Sequence, residues 1–191
     1  MQRKKMNTIK TTLLGMTAFT LMMTSTAEAE AFDKTFTHEG ISFHVFSKND
    51  SSLSKVTITP KGLKENNIPI TVDADGTITG AEIGDLNHDG SPEIYIYTSS
   101  VGSGAYGGLI AYSANRNLSI SPITLLPLEE DKVHSEGYMG HDRFALNKEY
   151  LARSFPVYKK EDSNAAPSGG TRTLKYTLTP GEATWVLSIV K

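Results

Sequence analysis

The chain has 191 residues, of which 38% are hydrophobic, 21% are charged and none is cysteine, with a formal net charge of −2. The lack of cysteine excludes disulfide staples, thiolate metal sites, cysteine nucleophiles and thiol redox chemistry, so a packed core must hold the fold. The mildly acidic balance excludes a broad phosphate-neutralising face, and nucleic acid is not an expected partner.

Residues 1–29 read as a cleavable export signal. Arg3, Lys4, Lys5 and Lys10 make a basic start, an apolar stretch follows from Leu13 to Met23, and "AEA" at 27–29 offers small residues for a signal peptidase. That mostly apolar stretch of eleven residues falls short of the roughly 20 that a spanning helix needs. Cleavage after Ala29 leaves residues 30–191, expected to form one exported domain with no membrane contact. Of the 19 Lys+Arg the leader takes four, and of the 21 Asp+Glu it takes one, so the remainder carries −5. Such a domain suits a basic protein partner, because opposite net charge accelerates encounter.

Along the mature chain the pattern is of period two. Ile41, Phe43 and Val45 alternate with Ser42 and His44; Val56 pairs with Ile58; Ile68, Ile70 and Val72 alternate; Ile94 and Ile96 oppose Tyr95 and Tyr97. Later strands are expected in "GLIAYS", "YLARSFPVY", "TLKYTLT" and "TWVLSIV", separated by the turns "DADG", "NHDG", "GSG", "ANRN" and "TPGE". Pro180 and Gly181 mark the clearest hairpin, with Leu174, Tyr176 and Leu178 facing Trp185, Leu187 and Ile189. Only "LPLEEDKV" hints at a helix, and a short one. The expected fold is all-β, an antiparallel β-sandwich of roughly eight strands. Residues 159–170, polar and rich in Gly, Ser and Pro, read as a surface loop.

Two constellations carry chemistry. The first is "GSGAYG", where Gly102, Gly104 and Gly107 match G-x-G-x-x-G after the apolar run "EIYIY". A dinucleotide turn needs a helix after its last glycine, and strand-like alternation follows here instead. The P-loop ending and the nucleophile-elbow spacing are both missing. What remains is a glycine-lined loop between two strands that leaves Ser103 and Tyr106 on a thin ridge; the alternative is a plain hairpin turn. The second is "DLNHDGSPE". Asp85, Asn87 and Asp89 fall at positions 1, 3 and 5 of a calcium loop, with Gly90 at position 6. Position 12 is Ile96 rather than Glu, and only Glu93 at position 9 could replace it. With that strongest ligand missing, the preferred reading is an Asx turn whose carboxylates cap backbone amides. If Glu93 to Thr98 is a strand, this turn and the glycine ridge lie at its opposite ends. The five histidines lack zinc-ligand spacing, and His141-Asp142 reads as a local polar turn or as part of an orienting network.

"SGAY" at 103–106, preceded by "DLNHDGSPEIYIY", resembles the signature of the periplasmic inhibitors of invertebrate-type lysozyme. "GYMGHDRF" (137–144), "LARSFPVYK" (151–159) and "GGTR" followed by "YTL" are similar to that family as well, and the likeness covers most of the chain from Gly84 onward. The resemblance implies a periplasmic, non-enzymatic β-sandwich that inserts a serine–tyrosine loop into the lysozyme cleft. Ser103 and Tyr106 would be the contacts, Gly104 would shape the loop, Gly102 and Gly107 would flank it, and Ala105 would hold the variable place. No cofactor is then expected; a structural calcium at Asp85, Asn87, Asp89 and Glu93 is the alternative that the acidic turn leaves open. Two other readings stand beside it: an exported calcium- or carbohydrate-binding module, and a small hydrolase using Ser103. Exposed strand edges leave a homodimer open.

Overall fold

The computed structural model describes residues 30–190; the export-signal reading of residues 1–29 lies outside them. The first four strands, β1 (Phe32–His38), β2 (Ile41–Ser47), β3 (Leu53–Lys61) and β4 (Ile70–Asp75), form an antiparallel meander. The next eight are β5 (Thr77–Gly84), β6 (Glu93–Ser99), β7 (Gly107–Asn115), β8 (Ser119–Leu125), β9 (Arg143–Leu146), β10 (Leu151–Pro156), β11 (Thr171–Pro180) and β12 (Trp185–Ile189). They make one sheet in the order β5-β6-β7-β8-β12-β11-β10-β9. "LPLEEDKV" contributes a single 3-10 turn, Leu128–Glu130.

The all-β, two-sheet architecture is the expected one. Its strands number twelve, and one pair departs from antiparallel order: β12 runs parallel to β8, with Trp185 opposite Ile123. A further local departure is Ile68. Alternation puts it on a strand face, yet it is 69% exposed and β4 begins only at Ile70. Pro69 lies between them and has no N–H to give a ladder.

Alternation explains the layers. Ile41, Phe43 and Val45 of β2 and Val56 and Ile58 of β3 turn inward against Ile78, Ile94 and Ile96 of the larger sheet. On the other side of β6, Tyr95 and Tyr97 face a second core with Leu151, Phe155, Leu174, Tyr176, Leu178 and Leu187. Strand β6 is therefore buried on both faces, with residues 93–98 all inaccessible or nearly so. The larger sheet curls around the second core until its edges nearly meet. The gap is bridged by a side chain: Glu82 Oε2 on β5 accepts the Leu146 N–H of β9 at 2.9 Å and the Tyr97 hydroxyl at 2.6 Å. The rigid, doubly buried β6 carries one candidate site at each end.

Candidate functional site

At the C-terminal end of β6 the chain leaves Ser99 and returns at Gly107, its direct cross-strand partner. The intervening residues 100–106 form a tight loop. Its neck is closed by the Ser100 N–H on the Tyr106 carbonyl and the Tyr106 N–H on Ser100 Oγ, both at 2.9 Å. Val101 is 70% exposed and Tyr106 45% exposed, and Ser103 is exposed between them. Neither the Ser103 nor the Tyr106 hydroxyl has a hydrogen-bond partner among the described residues. Strand β7 follows the last glycine, so the helix N-terminus of a dinucleotide site is not formed here.

The glycines act differently from one another. Gly102 adopts a positive φ of 147° in open space. Gly104 needs no special backbone; a Cβ there would run into the Tyr106 ring, so the missing side chain is what lets the ring fold over the loop. Gly107 has a similar cause, because a Cβ would press on Asp142 at 2.5 Å. The left-handed position falls on Ala105, with φ of 40°, a conformation that costs an L-residue roughly 1–2 kcal/mol. Its surroundings hold it there: the Ala105 N–H reaches the Gly102 carbonyl at 3.2 Å, and the His141 N–H bonds the Gly104 and Ala105 carbonyls at 2.8 and 3.2 Å.

Beneath the loop lies a buried polar network. Asp142 Oδ2 accepts the Gly107 N–H at 2.8 Å and the Tyr138 hydroxyl at 2.7 Å. Asp142 Oδ1 accepts from Arg153 Nε at 2.7 Å, with the two side chains 0% and 5% exposed, and a guanidinium N–H also reaches the Tyr138 oxygen at 2.8 Å. Burial works against the charged guanidinium, and the hydrogen bond and charge of Asp142 outweigh it, so Arg153 is held above the ordinary arginine value. Burial and the bond to Asp142 push the Tyr138 hydroxyl up, so it stays a donor. The Tyr138 ring meets Tyr106 edge-on at 5.7 Å and Phe155 at 4.8 Å. Tyr106 thus rests on a ring that is itself fixed from below by an ion pair.

Gly140 is the closest point of this bracket. Its φ is +89°, and a Cβ would collide with the Gly104 carbonyl. Gly140→Ala combines a left-handed alanine with that clash, so it is expected to lower Tm by roughly 5 °C. Hydrogen exchange should be faster at the His141 amide, which holds the loop. A melt and an exchange pattern like the parent's would mean that the bracket does not hold the loop in this way.

The other end of β6 holds the acidic turn. The Asx-turn reading is met: the Asp89 and Gly90 amides donate to the Asp85 carboxylate at 3.0 and 2.9 Å, and the Ser91 amide to Asp89 at 2.8 Å. The turn does more than cap itself. Glu93 is fully buried at the start of β6, and its Oε2 accepts the Leu86 N–H at 2.7 Å and the Tyr95 hydroxyl at 3.3 Å. Burial first, and then the charges of Asp85 and Asp89, push its carboxyl up to about 8. One oxygen each from Asp85, Asp89 and Glu93 lie within 4.8 Å of one another.

Ser103, Gly104 and Tyr106 are therefore brought together with Gly102 and Gly107 in one loop, and Asp85, Asn87, Asp89 and Glu93 in one turn at the opposite end of the strand. The residues that reading by sequence left out are Tyr138, Gly140 and Arg153. Of the two readings of His141-Asp142, the network is the one formed, through Asp142. The visible signal was Arg153, which shares the inward parity of Leu151 and Phe155 and so puts a charge on a core face. Comparison of the chain with protein families, with curated proteins and with solved structures found no match.

Proposed function

We propose that the protein inhibits an invertebrate-type lysozyme by seating the loop of residues 100–106 in the enzyme's active-site cleft. The observation that carries this reading is the pair of unpartnered hydroxyls, Ser103 and Tyr106, on an exposed loop whose return strand is hydrogen-bonded to the Asp142 of a buried ion pair. Lysozymes cut glycosidic bonds with two carboxyl groups in a cleft. Hydroxyls donate to such carboxylates, and a bond to a charged group contributes about 1.5–3 kcal/mol. A loop already fixed in shape loses little freedom on docking. The inhibitor occupies the groove and undergoes no reaction itself.

Further support comes from where the resembling segments meet. Residues 137–144 bracket the loop through Gly140, His141 and Asp142, and residues 151–159 supply Arg153 beneath it. Segments far apart in the chain thus build one patch. In this reading the protein works in the periplasm, shielding peptidoglycan.

The test is turbidity clearing of peptidoglycan by invertebrate-, chicken- and goose-type lysozymes with purified residues 30–191. Near-equimolar protein is expected to abolish clearing by the invertebrate-type enzyme. No inhibition of any of the three would overturn the proposal. The net charge of −5 on those residues also predicts that association with a basic lysozyme slows with salt more than release quickens. Stopped-flow or surface-binding kinetics between low and physiological salt would check it, and a salt-independent on-rate would remove charge steering.

A further inference from the structure

Four buried side-chain polar atoms have no partner among the described residues, and three of them surround the acidic turn: Glu93 Oε1, Ser113 Oγ and Asn117 Oδ1. Ser113 sits directly opposite Glu93 in the β6–β7 register, and both residues are fully buried. Asn117 is tied to the turn by its Nδ2 bond to the Gly90 carbonyl at 3.1 Å. Buried polar groups in folded proteins are nearly always satisfied, by protein, water or an ion. Of these atoms, Glu93 Oε1 belongs to the carboxylate cluster itself: it is an oxygen of a fully buried side chain that no donor reaches, and a cation in the cluster would satisfy it.

The carboxylates supply the geometry for one. A calcium ion takes oxygen ligands about 2.3–2.6 Å away, so two oxygens on one ion are at most about 5 Å apart. The 4.8 Å span of Asp85, Asp89 and Glu93 fits inside that limit. Each carboxylate oxygen that already accepts a backbone amide keeps a lone pair free for a cation. Gly90, with φ of +79°, makes the sharp bend that the sixth position of such a loop requires. The absence of a glutamate at position 12 is no obstacle in this fold. Strand β6 leaves the turn directly, and its first residue, Glu93, points a carboxyl back under the loop and into contact with the Leu86 amide.

We propose that the Asp85–Glu93 turn is a calcium site, with Asp85, Asn87, Asp89 and Glu93 as side-chain ligands. The all-oxygen, carboxylate-rich and irregular donor set suits calcium better than zinc, which prefers nitrogen and sulfur, or magnesium, which demands a regular octahedron and keeps its waters. The ion bridges three carboxyl groups crowded together at the end of a buried strand. It lies about 20 Å from the glycine loop, the length of a seven-residue strand, and so stabilises the fold without touching the loop's partner. The assignment is independent of the lysozyme reading.

The test is calcium titration of protein dialysed against chelator, followed by calorimetry and by thermal melts, with magnesium as a second arm. Calcium at a hundredfold excess over its Kd is expected to raise Tm by about 5 °C or more, saturably, with a smaller rise in magnesium. Glu93→Gln keeps an acceptor for the Leu86 amide and takes away the carboxylate ligand. It should melt no lower than the parent in chelator, while its calcium affinity falls at least tenfold. Asp89→Asn provides a second variant with the same expected loss. Absence of calcium heat and of any Tm rise in the parent up to several millimolar would overturn the proposal, and so would full calcium response in both variants.

Discussion

Truncating Tyr106 to alanine is expected to weaken inhibition of an invertebrate-type lysozyme by about 30-fold or more, the loss typical of a central aromatic anchor. The half-exposed ring offers a free hydroxyl to a partner and touches its own protein at Gly104, Gly140 and the Tyr138 ring. Its removal should therefore shift Tm by only about 1–2 °C, as with other exposed positions. Ser103→Ala deletes one hydroxyl from the same ridge. If that hydroxyl meets a catalytic carboxylate, the loss should be about 10- to 150-fold, from the 1.5–3 kcal/mol of a charge-assisted bond. Inhibition constants measured beside melting curves separate the two effects. Parent-like inhibition by both variants would remove the loop from the contact, whatever the protein does.

The sequence revealed eight of the twelve strands, missing β1, β5, β8 and β9, and it revealed both ends of β6, because these depend on neighbours in the chain. Alternation alone put Ile94 and Ile96 on one face and Tyr95 and Tyr97 on the other, and the structure places them in two different cores. The same logic gave the hairpin from Leu174 to Ile189, with Leu178 directly opposite Leu187. What stayed hidden depends on contacts between distant segments. Nothing local tells that β12 will return beside β8 in parallel, or that Glu82 will reach Leu146 across the seam of the curled sheet. The candidate site divides in the same way. Its glycines and hydroxyls lie together in seven residues, whereas the bracket that fixes them comes from residues 137–144 and from Arg153. Arg153 was left out although its parity with Leu151 and Phe155 was there to be read; identifying Asp142 as its partner required in addition the register of β9 against β10, where Arg153 faces Phe144. Gly104 and Gly107 were visible as glycines, but the reason each must be one is a side chain elsewhere, Tyr106 in the first case and Asp142 in the second.

The bracket carries the largest expected effect on stability. Asp142→Ala leaves the Arg153 guanidinium, itself 5% exposed, without its anion. Breaking one member of a buried pair costs about 3–5 kcal/mol, which for a domain of this size is a Tm drop of roughly 10 °C. The damage should also travel. The Gly107 amide and the Tyr138 hydroxyl both donate to Asp142 Oδ2, so its loss frees the return strand of the loop and the ring beneath Tyr106 at once. Inhibition should therefore fall although the Asp142 side chain is fully buried and cannot meet a partner, and hydrogen exchange should quicken at Gly107 and His141. Asp142→Asn keeps an acceptor for the Gly107 amide while losing the charge. It should recover part of the exchange protection and of the inhibition, yet remain less stable than the parent. If Asp142→Ala loses stability but inhibits as tightly as the parent at a temperature where both are folded, the network supports the fold and does not set the loop. A loss of inhibition that the asparagine variant partly restores is what a positioning role requires, because a purely structural defect would follow Tm alone.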